Sequence, residues 1–147
     1  MEQLLQKSYI SMIKNSIWTR MFRNNFFELS WKKIDVLKNW SDSCAYFVSS
    51  ILKIFDLIEN IHATVGGTIK DIIKYWREEY KWKEIQIWAI LVWEEKNWHK
   101  HIWFYIWNNK AISNSSSKKE IVKHNWNYNS KRNIEKIYVN HKIATGK

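Results

Sequence analysis

The chain has very few of the residues that usually shape turns: three glycines, no proline and one cysteine in 147 residues. A chain of average composition contains about 7% glycine, which is roughly ten residues at this length. The single cysteine, Cys44, excludes an intramolecular disulfide and a zinc site built from several cysteines. Many turns must therefore use residues for which a positive φ angle is costly.

Long apolar segments are also missing. No run approaches the roughly 20 residues that a membrane-spanning helix needs. Residues 1–25 include basic side chains, but they have no continuous apolar block and no small-residue cleavage site, so a signal peptide is not predicted. We therefore expect a cytoplasmic protein or one exported by a non-classical route.

The overall composition is that of a folded, strongly basic protein. Hydrophobic residues make up 46% of the chain and are spread along it, which predicts one domain over residues 1–147 and a monomer. The formal net charge of +10 attracts polyanions such as nucleic acid, anionic membrane or anionic cell-wall polymer. The charge does not choose among these partners, and a lysine-rich proteome would produce the same excess.

Tryptophan is abundant where glycine is scarce. Eleven tryptophans are present, and several occupy polar turns or connectors. Trp107 opens the turn 107–110, Trp98 closes the turn 94–98, and Trp31 and Trp40 lie in polar connectors. Such positions favour glycine, because an indole at positive φ is an outlier.

These positions suggest that most of the tryptophans are mistranslated glycines. Some bacteria read one stop codon as glycine, whereas common translation tables read it as tryptophan. Reverting about eight positions would restore an ordinary glycine content. Trp93, Trp82 and Trp126 lie where no glycine is needed and are expected to be genuine. The alternative is a tryptophan-rich interaction surface.

Hydrophobic periodicity predicts helices first and strands afterwards. The helices are expected at residues 43–59 and 69–79, with a capping box at 68–71. A short strand and turn is expected at 32–40, and strands are expected at 85–93, 101–106, 110–113, 120–123 and 134–139. This order is typical of an α+β fold with helices packed on a small antiparallel sheet.

Cys44 lies at the predicted start of the first of these helices. The helix dipole and free amides there favour a thiolate and lower the thiol pKa. Amides around Ser43 and Ala45 are placed to bind an oxyanion during acyl transfer. The alternative is that Cys44 is a small buried apolar side chain.

His101 starts an apolar strand and is the candidate general base for Cys44. The alternative is a surface histidine at a strand edge. His99 would share its strand face, but no carboxylate or cysteine is placed to complete a metal site. We therefore expect neither a metal nor another cofactor.

Two segments resemble a known family when tryptophan is replaced by glycine at 88, 98, 103 and 107. Residues 88–94 then read Gly-Ala-Ile-Leu-Val-Trp-Glu, and residues 98–107 read Gly-His-Lys-His-Ile-Gly-Phe-Tyr-Ile-Gly. With the Cys44 segment 42–48, they resemble the nucleophile helix and histidine strand of the NlpC-type and CHAP-type cysteine peptidases and amidases. The motifs cover about residues 40–115, and their order matches the family.

The resemblance implies a papain-like fold with a family-like core at about 40–140 and an N-terminal helical extension at 1–39. It implies that His101 activates Cys44 and that a third polar residue orients the imidazole. By position this residue is Ser113, although Asn114 is the better acceptor. Tyr46 or Tyr105 is expected to line the substrate cleft.

The chain departs from the family pattern at two positions. An aspartate is usual at Ala89, and Ser43 separates Asp42 from the cysteine. The function implied is a thiol-dependent hydrolase of cell-wall peptides, either a peptidoglycan endopeptidase or an amidase. An inactive or acyl-transferring relative of the same fold is a further alternative.

A different class of function also fits the composition: a basic, aromatic-rich nucleic-acid-binding module without catalysis. This alternative predicts that Trp88, Trp103 and Trp107 are exposed to solvent on one charged face.

Overall fold

A computed structural model describes residues 4–79, 85–96 and 98–145. The helices are α1 (Leu5–Asn15), α2 (Ser43–Ile54), α3 (Val65–Ile72) and α4 (His141–Thr145). The strands are β1 (Phe26–Leu29), β2 (Lys32–Asp35), β3 (Arg77–Glu78), β4 (Ile90–Lys96), β5 (His99–Trp107), β6 (Lys110–Ser115), β7 (Glu120–Asn125) and β8 (Ile134–Val139). Within these ranges no helix has the length and apolarity required to cross a bilayer.

The main sheet has six antiparallel strands in the order β3-β8-β4-β5-β6-β7, and β1 pairs with β2 in a separate hairpin. Helix α2 packs across β5 and β6. The α+β class with an antiparallel sheet is confirmed. Of the predicted strands, 134–139 has the expected bounds, whereas the strand predicted at 85–93 begins five residues later, at Ile90.

Helix α2 is shorter than the predicted helix 43–59, because its C-terminus is closed by a Schellman motif. Asp56 adopts a left-handed φ of 50°. The Leu57 amide then donates to the Leu52 carbonyl, and the Asp56 amide donates to the Lys53 carbonyl. These two bonds satisfy the last carbonyls and turn the chain away from the helix axis.

Helix α3 begins four residues before the predicted start at 69 and ends at Ile72 rather than 79. Thr64 is the N-cap, and its hydroxyl accepts from the Gly67 amide at 3.1 Å. Thr68 lies inside the helix, where its hydroxyl donates to the Thr64 carbonyl. The predicted capping box at 68–71 is therefore wrong.

Two further elements differ from the sequence prediction, and a third agrees with it. Helix α4 was not predicted, and β1 lies within residues 1–39, where the resemblance implied a helical extension. The predicted strand and turn at 32–40 is found as β2 followed by turns. The short, exposed hairpin gives little hydrophobic pattern from which β1 could be recognised.

The two faces of the main sheet have different contents. The helix face carries Ile102, Phe104 and Ile112, and the Phe104 ring meets Phe47 of α2 at 5.4 Å and Tyr9 of α1 at 5.8 Å. The opposite face, which we call the aromatic face, is formed by Trp93, His101, Trp103, His124 and Tyr128. Strand alternation assigns these side chains to opposite faces.

Five tryptophans have a backbone conformation that side chains rarely adopt. Their φ angles are 67° at Trp18, 66° at Trp31, 89° at Trp40, 104° at Trp88 and 63° at Trp98. Left-handed conformations cost non-glycine residues about 1–2 kcal/mol each. Trp107 is not in this group, since the positive angles of its turn fall on Asn108 and Asn109.

The buried tryptophans also differ in whether the indole N–H has a hydrogen-bond acceptor. Trp76 donates to the Leu57 carbonyl at 3.0 Å, and Trp93 donates to the Trp126 carbonyl at 2.9 Å. In contrast, the buried Nε1 atoms of Trp40 and Trp103 have no hydrogen-bond partner. Native folds rarely leave a buried donor unpaired, so these two positions are poorly suited to an indole. Trp82, which the sequence suggested is genuine, lies outside the described residues.

Candidate active site

The Cys44 thiol lies in the first turn of α2 and faces the start of β5. Its Sγ atom is 4.0 Å from the Lys100 carbonyl oxygen, and the Ile102 amide donates to the sulfur. The recorded pairing of β5 with β6 starts only at Phe104, which leaves this stretch of β5 open to the thiol. The sulfur therefore contacts the backbone on both sides of His101.

The electrostatic environment of Cys44 differs from the sequence prediction. Burial raises the pKa of the Cys44 thiol to about 11, and the Asp42 charge also raises it. Amides of Ile102, Ala45 and Cys44 lower the pKa, as expected at a helix start, but they do not outweigh burial. The predicted lowering of the thiol pKa is wrong for this arrangement, because only 5% of Cys44 is exposed.

A groove of about 690 Å³ runs beside the thiol, and we call it the Cys44 groove. One side is formed by β5, which contributes His99 and His101. The other side is the start of α3, residues 63–66. Cys44 and His101 thus line one groove, as a nucleophile and its base must.

The His101 imidazole is half-buried and directed toward the aromatic face. Its ring lies 6.3 Å from Trp93 and 6.2 Å from Trp103, between centroids. Burial lowers the pKa of His101 to about 4, and the charges of Arg132 and His99 lower it further. No hydrogen bond joins the imidazole to the Cys44 thiol within the described ranges, and the buried Nδ1 atom has no partner.

The two candidates for the third residue bond elsewhere. The Ser113 hydroxyl donates to the Asn114 carbonyl at 3.0 Å. The Asn114 amide donates to the Trp40 carbonyl at 3.2 Å, and its Oδ1 atom is buried without a partner. Asn114 and Ser113 point to opposite faces of β6, because successive side chains alternate. Neither is hydrogen bonded to His101 among the described residues.

The remaining predicted site residues are two buried neighbours of Cys44 and two tyrosines that pack elsewhere. Ser43 and Ala45 are fully buried beside Cys44 in the first turn of α2. Tyr46 packs against Phe22 with ring centroids 6.4 Å apart. Tyr105 packs against Trp126 at 5.9 Å, on the sheet face opposite α2. The two tyrosines are thus engaged in packing away from the Cys44 groove.

A buried aspartate that is hydrogen bonded to a histidine, and that the sequence analysis missed, supports the far wall of the groove. The Asp71 carboxylate accepts from the amides of Glu59 and Asn60 and lies 2.9 Å from His62 Nε2. Although burial alone would raise it, the pKa of Asp71 is lowered, because His62 and these amides donate to the carboxylate. The pair holds the loop that leads into the groove wall at 63–66.

The aromatic face also contains His124, which sequence analysis did not select. The His124 ring lies 3.6 Å from the Trp103 ring and stacks on Tyr128 at 4.8 Å. Its position at the end of a predicted strand carries no signal, because only folding brings β7 near His101. In the part of the chain that the structure describes, no group of three His, Cys, Asp or Glu side chains is arranged to hold a metal ion.

Comparison with known proteins identifies the fold. No family model and no curated protein matches the chain. Its structure is similar to that of NlpC2 from Trichomonas vaginalis, with a TM-score of 0.58 over 92% of this chain and 11% sequence identity. The chain has an NlpC-like fold. It spans 48% of the length of that protein, about half.

The nucleic-acid-binding alternative is not supported. It required Trp88, Trp103 and Trp107 to be exposed on one charged face. Trp88 is only 4% exposed and Trp103 only 1%. Bases cannot stack on indoles that are packed inside the protein.

Proposed function

We propose that the chain is a thiol-dependent hydrolase of amide bonds in bacterial cell-wall peptides, with a papain-like arrangement of nucleophile and base. The observation that carries the proposal is the position of the Cys44 sulfur. It lies at a helix N-terminus and against the backbone on both sides of His101. The NlpC-like fold supports the same assignment at the level of architecture.

In the proposed mechanism, His101 is the general base. Because its pKa is lowered to about 4, the imidazole is neutral near pH 7 and can accept a proton. The Cys44 proton moves to His101, and the sulfur forms a bond to the substrate carbonyl carbon. Amides in the first turn of α2, at Cys44 and Ala45, donate to the resulting oxyanion. His101 then protonates the leaving amine, and water hydrolyses the thioester.

Burial opposes this first step in the present arrangement. The thiol pKa of about 11 and the imidazole pKa of about 4 strongly favour the neutral pair. Formation of the ion pair requires the imidazole to approach the sulfur and both groups to gain hydrogen bonds. The Trp103 indole, which lies beside His101, restricts such a shift.

We also propose that several of these tryptophan positions are occupied by glycine when the organism that encodes the protein translates it. Positive φ angles support this at Trp18, Trp31, Trp40, Trp88 and Trp98. At Trp103 the support is an unpaired buried indole N–H and the resemblance of residues 98–107 to a glycine-containing strand. Peptide mass spectrometry of the native protein tests the proposal, and an indole mass at position 103 would overturn it.

We also propose a single domain and an anionic polymer as its partner. We take residues 1–147 as one domain, since Tyr9 of α1 packs against Phe104 in the sheet core. The net charge of +10 favours an anionic cell-wall polymer as the partner.

The hydrolase proposal is tested by clearing of purified cell walls, followed as loss of turbidity. The chain with glycine at 88, 98, 103 and 107 should clear the suspension, and its Cys44→Ala variant should not. The matched control is Ser50→Ala, which also removes one side-chain heteroatom from a largely buried position of α2. Clearing that persists in Cys44→Ala would exclude Cys44 as the nucleophile.

A further inference from the structure

Two histidines of the aromatic face present buried nitrogen atoms without hydrogen-bond partners. These atoms are Nδ1 of His101 and Nε2 of His124. The indole of Trp103 lies beside both rings, and its own Nε1 atom is also buried and unpaired. Unpaired buried polar atoms are rare in native proteins, and three around one side chain call for a common explanation.

The tautomer of His124 follows from its one hydrogen bond. Its Nδ1 atom lies 2.6 Å from the Asn125 carbonyl oxygen, which can only accept. Nδ1 must therefore carry the proton. In a neutral imidazole this leaves Nε2 with a lone pair, so the unpaired Nε2 atom of His124 is a hydrogen-bond acceptor.

His101 needs the complementary tautomer to act as a base. If its Nδ1 atom carries the proton, Nε2 has the lone pair that can accept the Cys44 proton. An acceptor facing Nδ1 would stabilise this tautomer and hold the ring. Neither Ser113 nor Asn114 is hydrogen bonded to His101 among the described residues: the Ser113 hydroxyl donates to the Asn114 carbonyl, and Asn114 lies two residues after Ile112 on the helix face, away from the aromatic face.

The Trp103 side chain lies beside both imidazoles. Its ring centroid is only 3.6 Å from that of His124, closer than the usual 4.5–7 Å of ring pairs. It is also 6.2 Å from His101. The Trp93 ring is near both imidazoles as well, at 6.3 Å from His101 and 5.8 Å from His124 between centroids, so the two histidines belong to one cluster of rings.

We propose that His124 is the positioning residue for His101. With no indole at position 103, the His124 Nε2 lone pair accepts the Nδ1–H of His101, which leaves His101 Nε2 free to take the Cys44 proton. The proposal rests on the hydrolase function proposed above, and it replaces Ser113 and Asn114 in the orienting role. It also explains why all three nitrogen atoms are unpaired when tryptophan occupies position 103.

The surrounding charges are compatible with two neutral imidazoles. Burial lowers the pKa of His124 to about 4, with smaller lowering contributions from Lys110 and from His101 itself. Arg132 and His99 act on His101 in the same direction. Tyr128 stacks on His124 and is neutral, since burial raises its pKa to about 12. The thiol of Cys44 is neutral as well.

The test uses the 147-residue chain with Trp103→Gly, and Trp103→Ala is a second background in case the glycine variant does not fold. In each folded background, His124 is replaced by Ala, Asn or Gln. The Gln side-chain oxygen reaches the position of Nε2 and can accept a hydrogen bond from His101 Nδ1–H. The Asn side chain reaches only the position of Nδ1. The exposed His141→Ala is the matched control.

The first measurement is the tautomer of His101, read from long-range ¹H–¹⁵N NMR spectra. We expect the Nδ1–H tautomer when residue 124 is His or Gln, and its loss when residue 124 is Ala or Asn. The second is kinetics on a soluble cell-wall peptide. His124→Ala should lower kcat at least about tenfold with KM unchanged, and His124→Gln should restore most of it.

The outcomes separate the two proposals. If His124→Ala changes neither the His101 tautomer nor kcat while activity still depends on Cys44, the positioning role is overturned and the hydrolase remains. If the tautomer responds to residue 124 as expected but no Cys44-dependent hydrolysis occurs, the pairing of the histidines stands and the hydrolase fails. Equal effects of Ala and Gln on both readouts would also overturn the positioning role.

Discussion

The two faces of the main sheet are filled in different ways. On the helix face, Phe104 meets Phe47 and Tyr9 edge to face at ordinary distances. On the aromatic face, Trp103 is forced to 3.6 Å from His124, and nitrogen atoms of three side chains lack partners. The comparison shows ordinary ring spacing around Phe104 and crowding around Trp103.

The mismatch is concentrated where glycine would remove it. Overpacking a core costs about 1–3 kcal/mol, and a positive φ at a large residue adds a similar amount. Trp103 has the first problem and Trp88 the second, with a φ of 104°. The same substitution to glycine would relieve both defects.

The largest expected effect tests the well-packed face. Phe104→Ala removes a ring that is fully buried among Tyr9 and Phe47, so it should lower the free energy of unfolding by about 3–5 kcal/mol. Urea denaturation measures the change. The control Phe26→Ala, at a ring that is 66% exposed, should change stability by less than about 0.5 kcal/mol. Equal losses in the two variants would contradict the assigned core.

A matched pair of tryptophans tests the mismatched face. Trp76→Gly loses buried packing and the bond to the Leu57 carbonyl, whereas Trp103→Gly also relieves crowding and an unpaired N–H. We expect Trp103→Gly to cost about 2 kcal/mol less than Trp76→Gly in the same urea titration. If Trp103→Gly is the more costly change, the indole at 103 belongs to the fold.

The pH dependence of stability probes the two buried histidines. Folding lowers the pKa of both His101 and His124 from 6.5 to about 4. Between these values the unfolded chain binds protons that the folded chain does not, so stability is full above about pH 6.5 and falls as the pH drops toward 4. The slope is at most about 1.4 kcal/mol per pH unit for each histidine, and partial exposure reduces it.

Urea midpoints measured across this pH range check the prediction. The double variant His101→Gln/His124→Gln should flatten the profile, because neither position can then bind a proton. His141→Gln, at an exposed histidine, should leave the profile unchanged. A double variant with the original slope would show that the aromatic face does not hold these imidazoles neutral.

The smallest expected effect isolates backbone strain from packing. Trp98 is 93% exposed and has a φ of 63°, so Trp98→Gly should raise the free energy of unfolding by up to about 1 kcal/mol. Trp107→Gly is the control at a strand position without a positive φ, where glycine should cost about 0.5–1 kcal/mol. Thermal denaturation distinguishes the signs, and destabilisation by both changes would contradict strain at Trp98.

The regular parts of the fold were accessible from the sequence because their signals are local. Alternating apolar residues located β5, β6, β7 and β8 to within two residues at each end, and the apolar face of α2 marked its start. The end of α2 was missed because Asp56 adopts a left-handed conformation, and an aspartate at this position gives no clear sequence signal for it. The tiny strand β3 depends on pairing with β8 and has no pattern of its own.

The candidate site was only partly accessible for the same reason. Chain order and residue type pointed to Cys44 and His101, and folding places both on one groove. The thiol pKa was misjudged, because the helix start is a local feature whereas burial is set by β5 and its neighbours. The role of His124 could not be predicted from the sequence, because His124 on β7 comes near His101 on β5 only when the sheet forms.

The sequence by itself determined where α2 begins and where strands β5 to β8 lie, that a lone thiol starts a helix, and that indoles stand at positions suited to glycine. These properties depend on periodicity and on the allowed φ range of each residue, both of which act over a few residues. Tertiary structure decided which side chains share a sheet face, how far the thiol and imidazoles are removed from water, and which nitrogen atoms lack partners. Those properties depend on contacts between distant segments, which no local pattern encodes.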